Sequence, residues 1–492
     1  MRMRVWGMAA AATVAVMALW TAGCASTFSS PGLDPATSPA AAVPWTPPPG
    51  AVPLAAPPRT MEIPEDLRAH VSDLSLPQVV DVALRNSPFT REAWWRARAA
   101  AAEVGIRQAD LFPEIDLGAE VQSGRQAAAG GQSFTRTTYG PVATLNYLLF
   151  DFGGRRADVE AARQALIAAD FLHNQAIQDV VLRVETAYYE YQGTKALLEA
   201  ERTNLKEVET NLGAADERRR AGVATITDVL QARTSVAQIQ LNIETLEGQL
   251  QSVRGGLAAA MGLPANLPYD VGPLPADLTP GTTTEAVEEL ITRALAGRPD
   301  VEAARAEALA AASDLARVRA EALPRLSAQA SLERLWFARP GGVPASNLYS
   351  GALLFSYPLF DGGRRASRVQ QAEADLEVSR SRVESLERDA TLQVWIDYAG
   401  VRTAAQRIET SRALLASAEE SERATSERYR AGVGSILDLL TAQSTLAAAR
   451  AQEVQARADW LLALSQLAHD TGSLGPAPTS SPSPSPSDRG QP

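Results

Sequence analysis

Hydrophobic and polar residues alternate strictly along short segments of the chain and follow helical spacing elsewhere. After Pro113, apolar residues from Ile115 to Val121 occupy every second position, and mainly charged or amide side chains lie between them. The segment after Pro324 alternates in the same way. A period of two is typical of a strand with one apolar and one polar face. The pattern therefore predicts amphipathic β-strands at both places.

A second strand and a long helical segment follow each of these strands. We predict strands over about 114–124, 139–150, 325–337 and 348–360, joined in pairs by polar, glycine-rich connectors. Alanine, arginine, glutamate and leucine dominate the segments before and after them, which favours helix. Pro113 and Pro324 end the first helical segment of each half, because proline cannot continue a helix.

The same order of elements occurs twice, about 210 residues apart. Phe-Asp-Phe-Gly-Gly-Arg-Arg at Phe150 returns as Phe-Asp-Gly-Gly-Arg-Arg at Phe360, which makes Phe152 an inserted residue in this alignment. The segment from Glu217 to Leu230 likewise matches 427–440. The chain is therefore predicted to be a duplication in which each half contains a helix, two strands, a long helix, a turn and a second helix.

Two kinds of turn join these elements. The predicted strand-to-helix turns contain Asp151, Gly153 and Gly154 in the first half and Asp361, Gly362 and Gly363 in the second. Glycine adopts backbone torsions that other residues resist, and aspartate can cap the helix that follows. Gly222 and Gly432 suit tight helix-to-helix turns.

The N-terminus has the pattern of a secretory signal, with Arg2 and Arg4 before an apolar stretch. It ends in small residues before Cys24, the only cysteine, and resembles a bacterial lipoprotein lipobox in which Cys24 is acylated. The alternative is an ordinary signal peptide followed by a stray cysteine.

These signals divide the chain into six parts. They are the signal peptide 1–23, a lipid anchor and Pro/Ala-rich linker 24–74, repeat 1 over 75–264, a linker 265–284, repeat 2 over 285–470, and a tail 471–492. The long helices extend to about 260 and about 468, and the Ser/Pro composition predicts a disordered tail. After the signal no run of 18 apolar residues predicts a membrane-spanning helix.

Strands of about 11 residues have the length that crosses a bilayer as tilted β-strands. Four strands cannot close, because the smallest membrane barrels use eight, and open edges in hydrocarbon leave backbone groups unpaired. Two copies would supply eight strands and three would supply twelve. A soluble sheet capping a helical bundle is the alternative, as is an elongated coiled coil for the helices.

A barrel would give the strand residues defined environments. The side chains expected in its water-filled lumen are Glu114, Asp116, Glu120 and Gln122. Those expected in aromatic girdles near the strand ends are Tyr139, Trp336, Phe337 and Tyr349.

Charge and composition argue against several classes of function. The net charge of −11 does not suit a nucleic-acid-binding protein. The histidines, His70, His173 and His469, have no metal-ligand spacing, and no phosphate-binding loop or nucleophilic serine motif occurs. We therefore predict no enzymatic activity, no cofactor and no metal site, so energy for any transport must come from a partner.

The two motifs, each present twice in the same order, resemble those of the TolC-type outer-membrane efflux family, and the lipobox indicates its lipoprotein branch. The resemblance covers roughly 76–467. It implies an α+β membrane channel formed by a homotrimer, with a 12-stranded outer-membrane β-barrel (four strands per chain) continued by a 12-helix periplasmic α-barrel. It also implies a lipid-anchored protein in contact with outer-membrane lipid and extending into the periplasm.

The resemblance further implies that the helix-to-helix turns lie at the periplasmic end, where a periplasmic adaptor (membrane fusion) protein docks. The residues expected to contact it are Arg220, Gly222, Val223, Arg430, Gly432 and Val433. Asp228 and Asp438 would form rings of carboxylates that act as a gate. The alternative for both is a first-turn acid that the helix dipole stabilises.

The function predicted in this way is the outer-membrane channel of a tripartite export system. It would be a passive conduit for small molecules such as drugs, toxic compounds or metals, opened by the adaptor and driven indirectly by an inner-membrane transporter. The first alternative is a channel for type I protein secretion, and the second is a non-conducting periplasmic scaffold lipoprotein.

Overall fold

The computed structural model describes residues 71, 73–127, 133–275, 278, 286–337 and 345–475. The signal peptide, Cys24 and residues 476–492 of the Ser/Pro-rich tail lie outside them. The first half consists of α1 (Leu76–Asn86), α2 (Pro88–Ala109), β1 (Glu114–Ala127), β2 (Ser133–Phe150), α3 (Gly154–Arg220) and α4 (Ile226–Ala260). The second half repeats this order with α5 (Val287–Gly297), α6 (Pro299–Glu321), β3 (Arg325–Phe337), β4 (Ala345–Ser356), α7 (Arg364–Arg430) and α8 (Ile436–Asp470).

A proline divides the leading helical segment of each half into two helices. Pro88 and Pro299 each occupy the first position of a helix, where a missing N–H costs nothing. The residues before them, Ser87 and Arg298, have extended ψ angles of 124° and 123°. The Ser87 hydroxyl also accepts a hydrogen bond from the Thr90 amide at 3.3 Å. Each half therefore has a break at this level.

The four strands form one antiparallel sheet in the order β1-β2-β3-β4, so the pairing of β2 with β3 joins the two halves. Residues that lie opposite one another share a face of the sheet. One row across the four strands is Leu117, Ala143, Leu332 and Tyr349. The neighbouring row is Asp116, Thr144, Ser331 and Ser350. The sheet therefore has the apolar face and the polar face that the alternation predicts.

The apolar face is not covered by any other part of the described chain. Leu117 is 83% exposed and Tyr349 is 86% exposed. Tyr139 stacks on Trp336 across β2 and β3, with ring centroids 5.9 Å apart. Phe337 pairs with Thr138 and so lies on the polar face, which corrects its expected place in an aromatic girdle beside Trp336.

Strand β4 ends at Ser356, earlier than the predicted boundary near 360. Tyr357 and Pro358 follow, and Pro358 has no N–H to donate to a strand ladder. The corresponding strand of the first half, β2, has no proline at this position and extends to Phe150. The two hairpins are therefore similar but not identical.

Helices α3 and α7 each contain 67 residues, which corresponds to a length of about 100 Å. Alanines such as Ala390, Ala449 and Ala456 are almost fully buried, and their small side chains let neighbouring helices approach closely. The largest apolar cluster joins α1, α3 and α4 around Leu74, Val184 and Leu257. No helix in the described part of the chain combines the length and apolarity needed to cross a membrane.

Candidate functional site

The strand-to-helix turns have the same construction in both halves. In the first, Asp151 accepts hydrogen bonds from the amides of Gly153 (3.3 Å) and Arg155 (2.8 Å). The Arg155 side chain bonds back to Asp151 at 3.2 Å and also donates to the Asp110 carbonyl at 2.9 Å. The aspartate thus satisfies free amides at the start of α3, and the arginine fixes this turn to the end of α2.

Asp361 does the same at the start of α7. It accepts from the amides of Gly363 (3.2 Å) and Arg365 (3.1 Å), and the Arg365 side chain bonds to it at 2.9 Å. Desolvation opposes the charge, but these bonds outweigh it and hold the pKa of Asp361 below its usual range. Arg365 also donates to the Ala322 carbonyl at the end of α6, at 3.2 Å.

The matching hydrogen bonds correct the alignment of the two turns. Phe152 has a φ of 54° and Gly362 has a φ of 68°, and each directly follows the capping aspartate. Gly153 and Gly363, with φ of 90° and 85°, are the next pair. Phe152 therefore replaces a glycine and is not an insertion, because the one-residue difference between the halves arises earlier, within the strand hairpins. Gly154, with negative φ, corresponds to Arg364.

The helix-to-helix turns bring the expected adaptor-contact residues to the ends of two helical hairpins. Gly222 and Gly432 adopt positive φ, 76° and 78°, so a side chain would be strained at either position. The amides of Val223 and Val433 bond back to carbonyls of the preceding helix, each at 3.0 Å. The two valine side chains are 67% and 70% exposed, so each turn presents an apolar tip.

Arg220 and Arg430 are the last residues of α3 and α7. Arg220 pairs with Glu217 and Arg430 with Glu427, and all four side chains are largely exposed. Exposed pairs of this kind contribute little to stability, about 0–1 kcal/mol. The arginines are therefore available at the surface beside the apolar tips.

Asp228 and Asp438 lie in the first turns of α4 and α8, immediately after the tips. Asp228 accepts from the Thr225 amide at 2.8 Å, and the Asp228 amide donates to the Thr225 hydroxyl at 3.3 Å. The Asp438 amide donates to the Ser435 hydroxyl at 3.1 Å. Asp228 therefore does act in helix capping, while the carboxylate of Asp438 is exposed to solvent.

A contact between the two tips was not apparent from the sequence. The Arg218 guanidinium of α3 donates to the backbone carbonyl of Tyr429 at the end of α7. It also lies 4.6 Å from the centre of the Tyr429 ring, a cation–π distance. Tyr429 is only 6% exposed, and burial raises the pKa of its phenol, with the Arg218 charge opposing and the Asp228 charge adding to the shift. Arg218 thus joins the first hairpin to the second.

A groove of about 550 Å³ lies between α3, α4 and α8, just above the tips. Most of the residues that line it are polar, including Glu201, Thr234, Gln238, Asn242 and Ser444, and Val208, Leu230 and Ile239 add apolar surface. Arg450 closes one side by bonding to Asn204 at 2.6 Å and to Glu207 at 3.0 Å. The tips and this groove form a continuous surface on the two hairpins.

Four amphipathic antiparallel strands, continued by long helical hairpins and exposing an apolar face, define an outer-membrane channel protein. The sequence matches the family described as "Outer membrane efflux protein" over residues 79–263 and 290–473. The chain belongs to that family, and both halves of the duplication match it. It is an outer-membrane channel component of an export system.

Individual relatives agree with this assignment. The protein CyaE of Bordetella pertussis is 28% identical over 386 residues, which cover 78% of this chain and 81% of CyaE. The pyoverdine export outer membrane protein OpmQ of Pseudomonas putida is 29% identical over 411 residues, which cover 80% of this chain and 83% of OpmQ. The crystal structure of the outer membrane protein VceC from Vibrio cholerae has the same fold, with a TM-score of 0.71 and 21% identity over 82% of this chain and 97% of that one.

Proposed function

We propose that three copies of this chain close into one channel, which acylated Cys24 anchors to the membrane. The channel opens when a periplasmic adaptor protein docks on the helical tips. It then passively conducts small molecules supplied by an inner-membrane transporter. The observation that carries the proposal is an amphipathic sheet with two free edges. Strands β1 and β4 are the outer strands of the sheet, and each has a neighbour on one side only. Free edges are not tolerated in a bilayer, so further strands must pair with both.

The directions of the strands favour head-to-tail closure. Because four antiparallel strands alternate in direction, β4 of one copy and β1 of the next also run antiparallel. An interface in which two different edges meet generates a ring when the rotation closes. Two copies would give the minimum of eight strands, and three give a twelve-stranded barrel wide enough to leave an aqueous lumen.

Helix α7 carries an apolar stripe on the same side of the chain as β4. Leu376 of α7 packs against Leu315 of α6 within the chain. The opposite face of α7, about 180° around the helix axis from Leu376, carries Val378, Leu392 and Ile396. These side chains are 68%, 57% and 57% exposed. A stripe of this spacing on one face of a helix favours packing against another helix.

The opposite side of the chain has an apolar stripe of its own, on α4 and nearer the tips. Ile226, Leu230 and Leu241 are 58%, 51% and 57% exposed, while Val229 and Ala232 on another face pack against Ala215 of α3. The β1 side of the chain and the β4 side therefore both present apolar helices. A ring of identical subunits would bring these two sides together and cover both apolar surfaces.

The acidic lumen and the exposed tips support the remaining parts of the proposal. Glu114 and Asp116 lie on the polar face of the sheet, which faces inward when the apolar face contacts lipid. Val223 and Val433 present apolar tips flanked by exposed arginines, a surface suited to a helical partner. Among the residues that the structure describes, no group of three or more His, Cys, Asp or Glu side chains is arranged so that it could hold a metal ion.

The experiment is reconstitution of the full-length protein in planar bilayers, combined with native mass spectrometry in detergent. We expect a trimeric mass and discrete single-channel conductance that increases when the matching adaptor is added. A monomer without conductance would contradict the proposal and would favour a scaffold. A trimer that conducts but does not respond to any adaptor would contradict the gating part alone.

A further inference from the structure

A buried charged cluster lies where α8 ends against the break between α5 and α6. His469 is bonded to Asp179 of α3 at 2.9 Å and to the neighbouring Asp470 at 2.7 Å. The His469 side chain is 17% exposed and that of Asp470 is 7% exposed. The histidine therefore connects the end of α8 to the half-exposed Asp179 of α3.

Arg298, the residue that precedes α6, enters the same cluster. Its guanidinium bonds to Asp300 at 2.7 Å and to Gln393 of α7 at 2.6 Å. It also donates to the Asp470 carbonyl at 3.4 Å. The partial negative charge at the C-terminal end of α8 favours a cation at this position. One arginine thus holds α6, α7 and α8 together at this level.

Two carboxyl groups meet at the centre of the cluster. Asp397 of α7 interacts with Asp470 of α8, and one carboxyl oxygen of Asp397 is buried with no hydrogen-bond partner in the described structure. Two ionised carboxylates that lie close together repel each other, and a buried carboxylate without a hydrogen-bond partner is unfavourable. Both effects favour a proton on Asp397.

The first half of the chain has no such cluster at the equivalent level. The counterparts of Asp397, His469 and Asp470 are Ala187, Ala259 and Ala260. That region is held by the apolar cluster around Val184 and Leu257. The first half has a different contact nearby, in which Lys195 of α3 bonds to Asp270 beyond the end of α4 at 2.8 Å. Asp397, His469 and Asp470 of the second hairpin therefore have no titratable counterparts at their own positions in the first half.

We propose that the Asp397–Asp470–His469 cluster is a proton-dependent latch that holds the upper end of α8 against α3 and α7 and that loosens the second hairpin when it loses protons. This inference builds on the proposed gate, because movement of the second hairpin carries Tyr429 and Asp438 with it. Release of the latch would weaken closure at the tips.

The protonation of each group supports this direction. Burial, together with the bond and the negative charge of Asp470, raises the pKa of Asp397 to about 7. Burial alone would lower the pKa of His469, but Asp179 and Asp470 outweigh it and raise the pKa to about 9. Burial opposes the charge of Asp470, but its bonds to His469, Asp397 and Gln466 hold its pKa well below the usual range.

The remaining charged groups around the cluster are Asp179, Glu185, Arg298 and Asp300. Burial raises the pKa of Glu185, and the bond to Ser465 opposes the shift. Bonding to Arg298 outweighs burial and lowers the pKa of Asp300. Asp300 therefore stays ionised through the range in which Asp397 and His469 titrate.

The raised pKa values of Asp397 and His469 both weaken the latch as pH rises. Asp397 keeps its proton up to about pH 7 in the closed latch, whereas an aspartate in water loses it near pH 4. The free energy that this proton contributes to closing the latch therefore falls as pH rises from about 4 to about 7. The contribution of protonated His469 is complete below about pH 6.5 and is lost as pH rises through about 9. The latch is therefore tighter in mild acid than in mild alkali.

Amide hydrogen exchange of the full-length protein tests this inference. The exchange rates are compared at about pH 5.5 and about pH 8, after correction for the intrinsic pH dependence of exchange. We expect opening of amides 462–472 to increase by up to about tenfold per pH unit, while amides 252–262 of the first half stay unchanged. Asp397→Asn keeps a hydrogen-bond donor without needing a proton and should remove much of this dependence. Asp389→Asn, an exposed change on the same helix, should leave it intact.

The outcomes separate the latch from the channel. Exchange at 462–472 that does not depend on pH, or that keeps its full dependence in Asp397→Asn, overturns the latch. A protein without conductance but with the expected exchange pattern contradicts the proposed function and leaves the latch in place. In a conducting protein, an open fraction that ignores pH overturns the connection between the latch and the gate.

Discussion

Arg218 connects the two helical tips through one hydrogen bond to the Tyr429 carbonyl and one contact with the Tyr429 ring. We expect Arg218→Ala to weaken this connection by about 1–3 kcal/mol, because a charge-assisted hydrogen bond and a cation–π contact are lost. Since 1.4 kcal/mol corresponds to a tenfold change in an equilibrium, the open fraction in planar bilayers should rise about tenfold.

Arg428 is a matched control for this experiment. It is the counterpart of Arg218 in the second half, and its side chain is exposed at the end of α7. Arg428→Ala should leave the open fraction close to that of the unaltered protein. Equal behaviour of the two variants would show that the contact with Tyr429 does not hold the gate.

Asp228 and Asp438 combine a capping position with a proposed gate charge, and two substitutions separate these roles. The double change to alanine should raise conductance or drug leakage through loss of both carboxylates. The double change to asparagine removes the same charges but retains an amide able to cap a helix. If charge closes the gate, both variants should open alike.

Melting temperature provides the second measurement for these aspartates. The Thr225–Asp228 capping pair predicts that alanine lowers it more than asparagine does. Conductance that stays unchanged in both double variants would remove the aspartates as gate residues.

The sequence identified the tip residues but not the contact between the tips. Gly222 and Gly432 were recognisable because turn geometry is local and glycine marks it. Arg218 and Tyr429 are about 210 residues apart, and only their place at the ends of parallel hairpins brings them together. Comparison of the two halves gives one hint, since Arg219 in the first half is replaced by the tyrosine in the second.

At the scale of elements, the stripe on α7 is the clearest determinant of association between copies. Replacing Val378, Leu392 and Ile396 together by serine should cost about 1.5–3 kcal/mol for each apolar side chain that the interface buries. We expect the trimer to dissociate to monomers at lower detergent concentration, as measured by native mass spectrometry. Leu309→Ser, a change of an exposed leucine on α6, is the control.

A trimer that withstands the triple serine change would show that α7 does not form the contact between copies. The sheet edges would then have to hold the ring by themselves. The test therefore separates the contribution of the helices from that of the strands.

The elements were largely accessible from the sequence because their patterns are periodic. The sequence pattern predicted four strands, and the structure contains four, joined in one antiparallel sheet that the pattern did not specify. The details that differ depend on single residues. Pro358 ends β4 early, and Phe152 has a positive φ at the position that Gly362 occupies in the second half. A one-residue gap within a hairpin shifted that comparison, and hydrogen bonds were needed to correct it.

At the scale of the molecule, the duplication predicted the class of protein, and the family match confirms it. The cluster around His469 was not predictable, because its members come from α3, α7, α8 and the residue before α6. Its absence from the first half makes two similar hairpins chemically different. The two halves therefore share one architecture, but the upper end of the second hairpin is held by a charged cluster and that of the first by an apolar cluster.

The breaks before Pro88 and Pro299 separate α1 from α2 and α5 from α6, while α3 and α7 continue without interruption past the same level. Separate helix ends can slide or rotate against each other without breaking a backbone ladder. An uninterrupted rod has to bend or twist along its length. Opening of the periplasmic end should therefore store elastic strain in α3 and α7, and recoil of these two helices would close the passage once the docked protein leaves.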